Sequence, residues 1–209
     1  MSSPSKSVYF RSFLFHVSKD VYYPAEDTFL LAENVHVNQG DLVLDMGTGC
    51  GILAILAADK AQKVVAIDVN PQALRCTQMN AERNGVAERV ETRLGNLFEP
   101  VMGEERFNLV LFNAPYLPST EEETNAWLDR AWSGGPSGRR IIDRFLSEAP
   151  KHITRKGKVL LVQSTLSDIQ ETLRKLEEQG LSARILAEEK VAFEKIVVIA
   201  GEYRHSNGR

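Results

Sequence analysis

Cysteine is scarce in this chain. Cys50 and Cys76 are its only two in 209 residues, too few for a disulfide framework and wrongly spaced for a metal-binding pair. Two buried free thiols in a reducing compartment are what such usage predicts, and no metal site is expected. Long apolar runs are missing as well. No stretch reaches the length that crosses a bilayer, and residues 1–10 lack the apolar core of a secretory leader, so the expected location is the cytoplasm, away from any membrane. Nor is one charge in excess: 25 Lys and Arg against 28 Asp and Glu give a formal net charge of −3. A general attraction to polyanions is therefore not encoded, and nucleic-acid contact would need a local patch. A linker and an internal repeat are absent too. With 43% hydrophobic and 25% charged residues, the composition is that of a globular protein rather than a disordered one, and the length suits one domain with a substantial core.

What is present is a regular alternation of apolar strands and helices. Residues 1–7 are Ser-rich and read as frayed, and Val8–Val17 as a short strand. Pro24 leads into a helix carrying Phe29, Leu30, Leu31 and Ala32. Leu42–Leu44 and Val64–Ile67 are short apolar runs that read as buried strands, and Val90–Leu94, Leu109–Phe112 and Val159–Val162 continue the strand series. Helices are expected over Ile52–Ala58, Pro71–Asn84, Ile141–His152 and Asp168–Gln179, with Gly85 and Gly180 as stops. Ala183–Leu186 and Ile196–Ala200 read as an antiparallel pair turning at Glu188-Glu189-Lys190. Strands without polar alternation imply a mostly parallel sheet covered on both faces. The expectation is an α/β fold with seven strands, a terminal antiparallel hairpin and helices on both sides. Within it, residues 1–36 form an N-terminal extension and lead-in helix, 37–112 a cofactor-binding half, and 113–209 an acceptor loop and C-terminal half.

The first half carries the cofactor signature. Leu42-Val-Leu-Asp-Met-Gly-Thr-Gly-Cys-Gly51 places alternate glycines, among them Gly47 and Gly49, where a strand turns into a helix. Glycine permits the sharp turn and leaves room for a ligand against the main chain. Such a turn alone is common to many nucleotide folds, but Asp45 stands ahead of it. A pyrophosphate would be repelled by that carboxylate, whereas the amino group of S-adenosylmethionine would be held by it. Asp68, closing the second buried strand, can accept hydrogen bonds from both ribose hydroxyls. Asn96, after the third, can offer its amide to an adenine edge, with Leu97 packing on the ring. Taken singly, Asp45 reads equally as a helix cap and Asn96 as a turn residue. In order, at successive strand ends, they indicate the class I S-adenosylmethionine-dependent methyltransferase fold.

The fourth buried strand runs into Asn113-Ala114-Pro115-Tyr116. This tetrapeptide resembles the Asn-Pro-Pro-Tyr signature of enzymes that methylate the planar NH2 group of adenine, cytosine or glutamine. An amide nitrogen is a poor nucleophile, because its lone pair is delocalised. Two acceptors, the Asn113 side-chain oxygen and the carbonyl of Ala114, can grip its two N–H hydrogens, aim it at the methyl donor and stabilise the positive charge that develops. Tyr116 can stack on the planar group. Alanine at 114 departs from the signature, but the carbonyl is main chain, and Pro115 still biases Ala114 toward an extended conformation.

Two further blocks narrow the family. Tyr22-Tyr-Pro-Ala-Glu-Asp-Thr28 and Ala131-Trp-Ser-Gly-Gly-Pro-Ser-Gly-Arg-Arg-Ile-Ile-Asp-Arg-Phe145 resemble segments of the HemK-type protein-(glutamine-N5) methyltransferases, which modify the glutamine of the Gly-Gly-Gln tip of class I peptide release factors. The resemblance implies that Thr28, Asp45, Gly47, Asp68, Asn96, Leu97 and Asn113 line the cofactor and that Asn113 also holds the substrate glutamine. Only 40 residues precede Asp41, which resembles the short archaeal and eukaryotic type rather than the bacterial one. Members of that type work as a heterodimer with a small zinc-containing activator protein. The strand Val90–Leu94 is expected at a sheet edge, where a partner strand could pair; Arg89 and Arg93 guarding that edge by charge is an equally good reading. Two other activities stay open: adenine N6-methylation of nucleic acid, with the basic stretch Arg139, Arg140, Arg144, Lys151, Arg155, Lys156 and Lys158 as its footprint, and lysine methylation, for which no base stands out. Direct nucleic-acid contact is not expected, because a solvated helix face explains the basic stretch more simply.

Overall fold

A computed structural model describes residues 6–119 and 127–203. An antiparallel hairpin comes first, β1 (Lys6–Phe10) with β2 (Phe13–Val17), followed by helix α1 (Glu26–Asn34). The alternating body is β3 (Leu42–Met46), α2 (Ile52–Ala58), β4 (Lys63–Asp68), α3 (Pro71–Arg83), β5 (Val90–Leu94) and β6 (Phe107–Asn113). Then come α4 (Trp127–Trp132), α5 (Arg140–Glu148), β7 (Ile153–Ser164), α6 (Ile169–Glu178), β8 (Leu181–Lys190) and β9 (Lys195–Tyr203).

Seven strands form one sheet in the order β5-β4-β3-β6-β7-β9-β8. Strands β3 to β7 pair in parallel, and β9 runs antiparallel between β7 and β8. The physical reason lies in the strands themselves: Val43 to Met46, Val64 to Ile67 and Leu109 to Phe112 are buried without interruption, so both faces need a helical cover. From β3 the chain first winds outward through β4 and β5, then returns to the other side with β6. This reversal opens a crevice beyond the carboxyl ends of β3, β4 and β6, which is where such sheets bind ligands.

Several elements differ from their sequence-based boundaries. Val8–Val17 is two strands rather than one, broken at Arg11 and Ser12, with Arg11 in the left-handed region (φ 53°). Lys6 and Ser7 belong to the first of these strands, while residues 1–5 lie outside the described part. The hairpin is tied to α3 by two amides one helical turn apart. Asn80 and Asn84 each accept a strand N–H and donate to a strand carbonyl, at His16 and Leu14 respectively. Residues Ile141–His152 are helical only to Glu148; Pro150, which has no N–H to give, sits in the tighter turn Ala149–His152. The terminal hairpin is longer than expected and turns at residues 191–194. Glu188, Glu189 and Lys190 lie on the exposed edge strand, so their charges mark solvent rather than a turn. Cys50 and Cys76 are buried and free. Among the described residues no helix is long and apolar enough to cross a membrane.

Candidate active site

Beyond the ends of β3, β4 and β6 the crevice widens into a cavity of about 480 Å³. Its floor is the turn after β3. Gly47 has φ +66°, and a Cβ there would stand 3.3 Å from the Phe112 ring; at Gly51 (φ +85°) it would meet Thr77 Cγ2 at 2.8 Å. Both positions therefore exclude a side chain by conformation and by space. Asp45 holds this turn from behind. Its Oδ2 accepts from the Thr48 hydroxyl at 2.7 Å and from the Ala54 N–H at 3.1 Å, whereas Oδ1 is buried without a partner. Burial pushes its carboxyl up to about 7, opposed by those two donors. The sequence puts Asp45 at the right strand end, but its carboxylate faces the interior of the turn, and the residue does not line the cavity.

Asp68, at the end of β4, does line it. One oxygen accepts from the Gly49 N–H (3.0 Å) and the other from the Asn70 N–H (2.9 Å), which leaves further lone pairs on each for a diol. Burial raises its pKa, opposed by those backbone donors. Gly95, Asn96 and Leu97 form the next wall. With the Asn96 amide oxygen turned toward Arg144 it accepts from both guanidinium nitrogens at 3.1 and 3.2 Å, which points the NH2 end away from Arg144. Leu97 takes a left-handed backbone (φ 52°), and its side chain is buried against the cavity.

The fourth wall is the loop leaving β6. Asn113 donates from Nδ2 to the Thr28 hydroxyl at 3.0 Å, and its Oδ1 is buried with no partner. Ala114, Pro115 and Tyr116 follow along the same wall. The Tyr116 hydroxyl donates to Asp27 Oδ2 at 3.2 Å. Asp27 also accepts from the Tyr22 hydroxyl at 3.1 and 3.2 Å, from the Thr28 hydroxyl at 3.0 Å and from the Thr28 N–H. Burial and the adjacent carboxylate push both phenols far above their ordinary range. The loop is clamped from outside by residues 132–140. Leu117 N–H donates to the Trp132 carbonyl, Gly134 N–H to the Leu117 carbonyl, and Ser119 N–H to the Gly135 carbonyl, at 2.8–3.0 Å.

Thr28, Gly47, Gly49, Asp68, Asn96, Leu97, Asn113, Ala114, Pro115 and Tyr116 thus converge on one cavity, and Asp45 stands behind it. The residues fit S-adenosylmethionine: a glycine-rich turn, a carboxylate with lone pairs to spare, an amide and an apolar plate, in that order around the wall. Asp27 and Tyr22 are functional candidates that motif reasoning passes over. An acidic residue in the first turn of a helix has an ordinary explanation in the helix dipole, and that hides Asp27.

Comparisons with known proteins agree with this architecture. A family model described as ribosomal protein L11 methyltransferase matches residues 28–115. A protein of Methanocaldococcus jannaschii described as a protein N5-glutamine methyltransferase is 40% identical over 182 residues, covering 86% of this chain and 90% of that one. Methyltransferase HEMK2 of Mus musculus is 32% identical, over 78% of this chain and 80% of its own. Among solved structures, the E. cuniculi Mtq2-Trm112 complex, described as responsible for methylation of the eRF1 translation termination factor, superimposes with a TM-score of 0.69 at 28% identity, covering 88% of this chain and 99% of that one. The chain belongs to the protein N5-glutamine methyltransferase family, enzymes of the class I fold that take their methyl group from S-adenosylmethionine.

Proposed function

We propose that this chain methylates the side-chain amide nitrogen of the glutamine in the Gly-Gly-Gln tip of a class I peptide release factor. The observation that carries this reading is Asn113, a residue of the cavity wall whose Oδ1 is buried without a partner. A buried oxygen left unpaired is costly, and an incoming N–H would satisfy it. The Ala114 carbonyl beside it supplies the second acceptor for a planar NH2 group, and Tyr116 the flanking ring. Bound S-adenosylmethionine supplies an electrophilic sulfonium methyl group. As the amide nitrogen takes on positive charge, its N–H bonds to Asn113 and Ala114 strengthen, which lowers the barrier rather than merely tightening binding. The reaction is assigned to the cytoplasm, where translation runs.

Other acceptors are less well supported. A lysine ammonium would have to lose a proton before attack. Asp27 is a carboxylate on the cavity wall, but four donors from Tyr22, Tyr116 and Thr28 already occupy its lone pairs. The basic stretch that a nucleic acid would need loses its first member to the interior. Arg139 is buried and bonded to the Ser167 and Asp168 carbonyls, Thr172 and Asp143.

The partner is assigned to the free edge of β5. The E. cuniculi relative is a complex with Trm112, and the family resemblance implies that such an activator carries zinc. Arg93 does not guard this edge by charge. It is turned inward and held by Glu91 at 2.7 Å and by Glu105 at 2.6 and 2.9 Å, while Leu94 stands exposed at the end of the strand.

Asn113→Ala tests the reading. Single-turnover methylation of a release factor should slow by at least about 100-fold, the scale for loss of a preorganised transition-state partner. Apparent substrate affinity should change little. Methylation at the wild-type rate would refute the gripping role of Asn113.

A further inference from the structure

Asn113 can work only if its oxygen, and not its NH2 group, faces the acceptor. An inverted amide would present two N–H donors to a nitrogen that itself offers only N–H. The order of protons along one short chain of contacts decides between the two orientations. Thr28 Oγ1 lies 3.0 Å from Asp27 Oδ1 and 3.0 Å from Asn113 Nδ2. A hydroxyl has one proton to give. A carboxylate only accepts, so that proton goes to Asp27. The Thr28 oxygen is then left as an acceptor, which only the NH2 end of Asn113 can satisfy. Oδ1 is thereby turned the other way, to the place where it has no partner. The carboxylate cannot swing out of this role, because the Tyr22 and Tyr116 hydroxyls and the Thr28 N–H hold it from three other directions.

We propose that Asp27 is a positioning residue for methyl transfer, acting through the Thr28 hydroxyl to fix which end of the Asn113 amide faces the acceptor nitrogen. The inference rests on the assignment of Asn113 as the group that grips the acceptor. It gives the lead-in segment a part in the chemistry: α1 supplies the polarity that the β6 loop uses.

Asp27→Ala is the informative change, because it removes the acceptor and leaves the Thr28 hydroxyl proton free to point at Asn113, so that the amide can invert. Turnover on a release factor should fall about 10- to 100-fold, the weight of a hydrogen bond to a charged group. Cofactor affinity by calorimetry and the KM for the release factor should stay within about twofold of wild type. In an Asn113→Ala background the same change should cost nothing further, since residues acting through one another are not additive. Should Asp27→Ala fold poorly, Thr28→Val, which keeps the carboxylate and deletes only the hydroxyl, should show the same loss of turnover and the same absence of effect in the Asn113→Ala background. Wild-type turnover in either folded variant, or a loss that adds fully to that of Asn113→Ala, would overturn the relay and leave the glutamine reading standing. Wild-type turnover in Asn113→Ala itself would bring down both.

Discussion

At Asp45 a carboxyl group sits on the central strand with no solvent exposure, one oxygen bonded and the other alone. Burial lifts its pKa to about 7, against about 3.9 for a free aspartate. Between those values the folded chain holds a proton that the unfolded chain has released. Stability from this group therefore falls as pH rises from about 4 to about 7 and is level above. Asp68 is shifted in the same direction. Glu91 and Glu105 are shifted down by Arg93, so their contribution is lost only as pH falls below about 4.5. His152, pushed down by burial, opposes Asp45 as pH falls through about 6.5. Asp45→Asn keeps the shape and removes the ionisation. The difference in Tm of the cofactor-free protein between pH 6 and pH 8 should shift in the variant, with the advantage of the lower pH reduced. An unchanged difference would show that Asp45 ionises as freely folded as unfolded.

At the scale of elements, the acceptor loop is only as well placed as the segment that clamps it. Gly138 (φ +71°) lies so close to that loop that a Cβ would stand 2.3 Å from the Tyr116 carbonyl oxygen and 3.1 Å from Ser167 Cβ. Gly85 has a similar φ, +72°, with nothing within 4 Å of such a Cβ. The pair separates conformational strain from displacement. Gly85→Ala should cost about 1 kcal/mol of stability and leave turnover unchanged. Gly138→Ala should cost more in stability and also lower turnover at least about tenfold, because Tyr116 must move, while cofactor affinity holds. Equal melting behaviour and full turnover in both would show that the clamp does not set the loop. The clamp could be suspected from Gly134, Gly135 and Gly138 in the sequence, but the backbone they approach is remote in the chain.

The same distinction between local and remote causes runs through the fold. The parallel strands and their helices were legible because continuous apolar runs, Pro71 and Gly180 act locally. Arg11 and Ser12 carry no turn signature, and the cause of their turn is remote: the Asn80 and Asn84 amides on α3 hold the second strand of the hairpin. The charges of Glu188 to Lys190 resemble a turn as much as an edge strand, and only pairing with β9 decides. Residues that line the cavity directly were legible for a related reason. Asp68, Asn96 and Asn113 stand at strand ends, where type and position together carry meaning. Asp27 acts through Thr28 and was masked by its ordinary place at a helix start.

Over the whole molecule, the sheet brings its chemistry to one end and leaves strand β5 open at one side, so that catalysis and a partner strand need not compete for the same surface. Asn113 and Thr28 are bonded to each other on one cavity wall, and under the proposed function they couple the methyl donor to the nitrogen it alkylates. Acceptor identity is the point on which the account depends. The most direct test is peptide mapping by mass spectrometry after incubating the chain with isotopically labelled S-adenosylmethionine and a class I release factor, alone and with the small activator partner. One labelled methyl group is expected on the side-chain nitrogen of the Gly-Gly-Gln glutamine. Label on a lysine, or none on that glutamine when the activator is present, would contradict it.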